Sequence, residues 1–120
     1  MSDSLITTLT AQGAGTVNSS DIQCGGEALH LGINVTAITG TSPTLTVNIF
    51  GKDASGIYYL LLASAALAAT GFSLLEIAPG ITAVANAAAN RKVPSTIRVQ
   101  CVVAGTTPSV TATIGASIRA

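Results

Sequence analysis

Charge is what this 120-residue sequence has least of: five Lys and Arg face five Asp and Glu, 8% of the chain, for a formal net charge of zero. An ordinary soluble domain carries about 25% charged residues. The balance leaves no basic field for DNA, RNA or an anionic membrane, so neither nucleic acid nor membrane is expected as a partner. Trp is absent, and two Tyr and two Phe are all the aromatic residues. The core therefore has to be built from Ala, Val, Ile and Leu. One His and five scattered carboxylates give no converging set for acid–base or nucleophilic catalysis. No catalytic, cofactor or metal residues are expected, and the chain is read as non-enzymatic. Cys24 and Cys101 are too few for a disulfide framework, and free thiols are the reading preferred over pairing. The opening MSDSLITTLT carries an acid where a secretory leader needs a basic region, so synthesis and folding in a cytoplasm are expected.

A surface this short of charge is poorly suited to a lone copy in water. Covering it with other chains is the usual remedy, so a homodimer, a homotrimer or a larger assembly is expected. The run 54–75 contains no charged residue and has the length to cross a bilayer. Ser, Thr and Gly interrupt it and no basic flank orients it, so it is read as part of the globular chain.

What is present is alternation. Leu29, Leu31, Ile33 and Val35 share one phase, with His30, Gly32 and Asn34 on the other; Leu45, Val47 and Ile49 repeat the pattern after TGTSP. Ile97, Val99, Cys101 and Val103 do the same before GTTPS, followed by Val110, Ala112, Ile114 and Ala116. Period-2 apolar spacing is the mark of half-buried strands. Gly and Pro between such runs read as turns, which predicts two hairpins closed at Gly40–Pro43 and Gly105–Pro108. The segments GTSPTLTVNIFG and GTTPSVTATIGA, 65 residues apart, agree at five of twelve positions. Their preceding strands sit one residue out of phase, which predicts a bulge or a different turn closure in one of them. Asp53–Gly56 punctuates the chain before a strand from Ile57 to about Ala63, and FSLLEIA, 72–78, ends at Pro79-Gly80. Residues 64–71 read as a loop or short helical turn, and ITAVANAAANRK as a long connection crossing between sheets. The fold class is therefore all-β: an antiparallel β-sandwich of about 7–8 strands, immunoglobulin-like or jelly-roll-like. Residues 1–23 are read as an N-terminal arm or edge strands and 24–120 as the sandwich, a single domain overall.

Short motifs add little chemistry. QGAGTVN lacks the third glycine and the βαβ context of a dinucleotide loop. Cys24, Glu27 and His30 are spaced by three, but the glycines and β pattern around them argue against the helix a metal site would need. His30 is read as outward-facing, and Asp21 and Asp53 as turn residues. Four residues are left as interface candidates. Tyr58 and Tyr59 point to opposite faces of one strand, one expected in the core and the other at a surface or interface. Arg91 and Lys92, an adjacent like-charged pair, are read as a solvated loop tip able to meet an acidic patch.

Two longer blocks, LHLGINVTAITGTSPTLTVNIFGKDASGIYYLLLASAALAATG (29–71) and PGITAVANAAANRKVPSTIRVQCVVAGTTPSVTATIGASI (79–118), resemble a family of small virion proteins encoded among the structural genes of tailed bacteriophages. The resemblance implies a capsid decoration, or cement, protein on the head surface of a virion, with the major capsid protein and its own copies as partners. A tail, neck or baseplate binding module is the alternative. It supplies no catalytic residues, and Ser95 and Ile97 stand where the family pattern has a polar or aromatic position before the arginine strand.

Overall fold

The computed structural model describes residues 2–23, 28–91 and 93–119, and side chains from residue 8 to 117 within those ranges. Eight strands appear in chain order: β1 Ser2–Gln12, β2 Gly15–Asn18, β3 Ile22–Gln23, β4 Ala28–Lys52, β5 Tyr58–Ala63, β6 Gly71–Ala78, β7 Ala88–Asn90 and β8 Thr96–Arg119. No helix occurs among the described residues. The antiparallel β-sandwich expected from the alternation is what forms; among the described residues only the short β6–β7 pair is parallel.

Two of these strands dominate. β4 has 25 residues and β8 has 24, and they pair antiparallel along their whole length, from Ala28 opposite Arg119 to Gly51 opposite Ile97. Twenty-five extended residues would reach about 80 Å at ~3.3 Å each. The molecule's longest dimension is 39 Å. The paired ribbon must therefore fold over near its middle, and it does so where the two Gly-Thr-x-Pro segments meet.

That meeting corrects the sequence expectation. Neither segment closes a hairpin: β4 runs through Gly40–Pro43, and β8 through Gly105–Pro108, without reversing. Between the pairs Thr39–Ser109 and Thr41–Thr106, Gly40 opposes the two residues Thr107 and Pro108; between Thr41–Thr106 and Thr44–Ala104, Gly105 opposes Ser42 and Pro43. Each strand thus bulges against the other's glycine. Gly40, Ser42, Gly105 and Thr107 all take positive φ, at 120°, 50°, 124° and 49°. Bulges bend strands and increase twist while pairing continues on both sides. Gly and Pro supply the same backbone freedom to a bulge as to a turn, and alternation resumes identically after either, so composition alone could not separate the two.

Folding the ribbon makes two layers. One contains β1, the C-terminal half of β8, the N-terminal half of β4, β6 and β7; the other contains β5, the C-terminal half of β4, the N-terminal half of β8, and β2 with β3. The apolar phases named from the sequence all face inward. Leu31, Ile33, Val47, Ile49, Val99 and Ile114 are fully buried in one shared core. Each such side chain contributes roughly 1.5–3 kcal/mol by leaving water. The phase shift ahead of Gly40 is a bulge at Thr36, between the pairs Val35–Ala112 and Ala37–Thr111, the first of the two alternatives the spacing left open. Thr36 then donates its hydroxyl to the Thr111 carbonyl.

Shorter elements follow local chemistry. Asp53 accepts from the Ser55 and Ile57 amides at 2.9 and 3.0 Å, and Gly56 takes φ 91°, which closes a β4–β5 hairpin where the sequence marks a break before a strand. Residues 54–75 are not one helix but the end of that turn, β5, a loop at 64–70 and the start of β6. Among the described residues, no helix is long and apolar enough to cross a membrane. Cys101 is a buried free thiol on the inward phase, as expected, while Cys24 lies outside the described residues.

Candidate functional site: a cationic and aromatic cluster on the outer face

The outward phase of the second layer gathers an unusual share of the chain's few charges and rings. Phe50 on β4 pairs with Arg98 on β8, and Lys52 pairs with Tyr58 across the β4–β5 hairpin. Even positions here point away from the core because Ile49, Gly51, Ile97 and Val99 point into it. Asp21 reaches the same place from the N-terminal segment. Ser19 exchanges hydrogen bonds with Val99, its amide donating to the carbonyl at 2.8 Å and its hydroxyl accepting from the amide at 2.9 Å. Ile22 pairs with Ile97. The residues between, including Asp21, are thereby carried past Arg98.

The geometry is compact. Lys52 Nζ donates to Asp21 Oδ2 at 2.8 Å, and the Tyr58 hydroxyl donates to Asp21 Oδ1 at 2.6 Å. The Arg98 guanidinium carbon lies 3.8 Å from the Tyr58 ring centroid and 5.9 Å from that of Phe50, and Lys52 Nζ lies 5.4 Å from the Tyr58 ring. All three contacts fall within cation–π range. The hydrogen bond from Lys52, then that from Tyr58, holds the Asp21 carboxyl below its ordinary range, and Asp21 in turn raises Lys52. A carboxylate so stabilised is a weak proton acceptor. Beside this cluster a polar ladder crosses the same face, Asn48 donating to Gln100 and Gln100 to Asn18, each at 3.1 Å.

Of the four candidate residues, Tyr58 belongs to the cluster. Tyr59 points the opposite way, as expected, and lies across Gly51, where a Cβ would come within 2.7 Å of the ring, beside Pro94. Neither tyrosine is in the core, contrary to the expectation for one of them: Tyr58 is half-buried under Arg98, and Tyr59 is 40% exposed. Arg91 is exposed in the loop after β7, its amide donating to the Ala78 carbonyl. Lys92 lies outside the described residues. Asp21, Phe50, Lys52 and Arg98 were missed as a group. Arg98 alternates outward in the sequence and Asp21 reads as a turn residue, but the proximity of the four depends on β3, β4, β5 and β8 lying side by side.

The other outer face is different. Phe72, 68% exposed, stands over Gly32, and Leu74 beside it is 38% exposed. His30 is outward, as predicted, opposite Glu76 with Nε2 and Oε2 3.9 Å apart and both side chains well exposed, a contact of little energetic weight. A cleft of ≈ 270 Å³ beside Phe72 is lined by Val35 and residues 66–73, none of them ionisable. No group of three or more His, Cys, Asp or Glu that could hold a metal occurs among the described residues. Cys24 and Glu27 of the spaced Cys24–Glu27–His30 set are outside that range.

No protein-family model and no curated protein sequence matches the chain. Among solved structures it is similar to a chain of infectious bursal disease virus, Gx strain, at TM-score 0.42 and 14% identity over 97% of this chain and 29% of that one. A chain of the Gt strain matches at TM-score 0.41 and 14% identity over 95% and 32%. The chain thus spans about a third of the length of the solved chains it matches.

Proposed function

We propose that the protein is a non-enzymatic structural component of a virion, a decoration protein that binds the head surface of a tailed phage through its outer faces. Its partners in this reading are the major capsid protein and further copies of itself, as a homodimer or homotrimer. The observation that carries it is the exterior: Phe72, Ile57 and Leu60 are 68%, 61% and 51% exposed on a surface with almost no charge to keep it apart from neighbours. Large apolar side chains on a weakly charged surface suit burial against another protein, because little has to be desolvated. Modest individual contacts suffice when many copies bind one lattice. The resemblance of residues 29–71 and 79–118 to small phage virion proteins agrees with this reading.

Sedimentation with heads lacking this protein tests it. Purified protein is expected to pellet with heads at a fixed copy number and to leave solution as an oligomer when heads are absent. Protein that stays monomeric and in the supernatant overturns the reading, and recovery with isolated tails alone moves the role to the tail.

A further inference from the structure

Among the described residues, the second outer face holds a cation that donates to no carboxylate. Both oxygens of Asp21 are occupied, Oδ2 by Lys52 and Oδ1 by Tyr58. Arg98 is left with the face of Tyr58 at 3.8 Å, and its Nε is enclosed without any hydrogen-bond acceptor. Among the described residues, two cations against one carboxylate leave this spot one positive charge in excess on a chain whose net charge is zero.

We propose that Arg98, stacked on Tyr58, is a docking point for an acidic side chain of another protein chain. A guanidinium is planar, always charged and weakly hydrated, and its free edge offers paired donors that match the two oxygens of a carboxylate. Stacking fixes its plane before the partner arrives, so little rotamer freedom remains to be lost on binding. Apolar area is next to it: Leu60 pairs with Phe50, and Phe50 with Arg98, so an exposed leucine, a ring and the guanidinium form one row across the sheet. An acidic residue with an apolar neighbour fits that row. Arg and Tyr at a partly desolvated centre are also the residue types that dominate protein–protein binding energy. A nucleic acid fits less well, because Asp21 sits beside the cations and no basic stripe extends from them. The inference goes beyond the virion reading and does not depend on what assembly the partner belongs to.

The enclosed Nε–H is also the reporter. The full-length protein, labelled with 15N, is titrated at constant ionic strength with a capped Gly-Leu-Gly-Glu-Gly peptide and with its Gln counterpart, following the Arg98 Nε–H and the Tyr58 ring protons. The Glu peptide is expected to shift both to saturation, with affinity on the order of fivefold or more above the Gln peptide, since a charge-assisted pair is replaced by a neutral one. Arg98→Lys, which keeps the charge and loses the fork, is expected to bring the two peptides level. Equal responses to Glu and Gln peptides in the wild-type protein overturn the proposal, and that comparison decides even if the variant does not fold. Wild-type affinity in Arg98→Lys overturns it as well. So does a dT8 oligonucleotide that shifts Arg98 at lower concentration than the peptide, which assigns the site to nucleic acid.

Discussion

Gly40 and Gly105 occupy reciprocal environments. A Cβ on Gly40 would lie 2.8 Å from the Thr107 carbonyl oxygen and 2.9 Å from the Pro108 Cα; one on Gly105 would lie 2.8 Å from the Ser42 oxygen and 2.9 Å from the Pro43 Cα. The repeated Gly-Thr-x-Pro sequence is thus one corner assembled from two matching halves. Each strand supplies the bulge that the other's glycine makes room for.

Gly40→Ala and Gly105→Ala are each expected to destabilise the protein by about 2–4 kcal/mol, through a positive φ that L side chains resist and a contact with backbone that cannot move aside. Because the surroundings match, the two costs should agree within about 1 kcal/mol, and the double variant should fall short of their sum. Gly13→Ala, where a Cβ meets nothing within 4 Å, is the control, expected to stay within about 1 kcal/mol of wild type. Urea denaturation of the four variants and the wild type measures all of this.

Ser64 is the one polar residue among those described that is buried, at 5% exposure. Its hydroxyl accepts from the Val47 amide at 2.9 Å and donates to the Ala65 carbonyl at 2.8 Å, tying the chain after β5 to β4. Ser64→Ala leaves a buried amide without its acceptor and is expected to cost about 1–3 kcal/mol. Thermal melting checks it, together with faster hydrogen exchange at the Val47 amide.

Acid should weaken the fold through two carboxylates. Asp53 is lowered from its ordinary 3.8 by hydrogen bonds from Ser55, then from the Ile57 amide, and Asp21 by those from Lys52 and Tyr58. A carboxyl with a depressed folded-state pKa contributes stability that is present above its unfolded value and lost as pH falls through the folded one. Urea midpoints should therefore hold above pH 5 and fall as pH drops below about 3.8. In the Asp21→Asn, Asp53→Asn double variant the acid slope should be shallower; an unchanged slope contradicts the assignment.

Burial pushes the Cys101 thiol up to about 11, so at pH 8 it stays protonated inside the core. Iodoacetamide at pH 8 should leave Cys101 unmodified in folded protein and alkylate it promptly in denaturant, as read by peptide mass mapping. Rapid native labelling at Cys101 contradicts a tightly packed strand there.

These expectations show where the sequence could be read and where it could not. Leu29 to Val35 and Ile97 to Val103 declare their inner face because a strand's side chains alternate whatever it pairs with. The Thr36 bulge was visible for the same reason, as a broken phase. The corner was not, because Pro43 and Gly40 mark a departure from regular extension without saying whether the chain turns back or travels on. Only the partner strand decides that, and the partner is 65 residues away. Arg98 was equally opaque: nothing local to Ile97–Val99 indicates that Tyr58 lies under it or that Asp21 is already committed to Lys52.

The crossing of the two Gly-Thr-x-Pro segments positions both outer faces, and nuclear Overhauser contacts at the corner test it most directly. The folded ribbon predicts strong contacts from the Gly40 α-protons to the Pro108 Hα and from the Gly105 α-protons to the Pro43 Hα, with cross-strand contacts between Thr41 and Thr106. Contacts closing each segment on itself, such as Thr39 to Thr44 and Ala104 to Ser109, with none between the segments, would restore two separate hairpins and contradict the account.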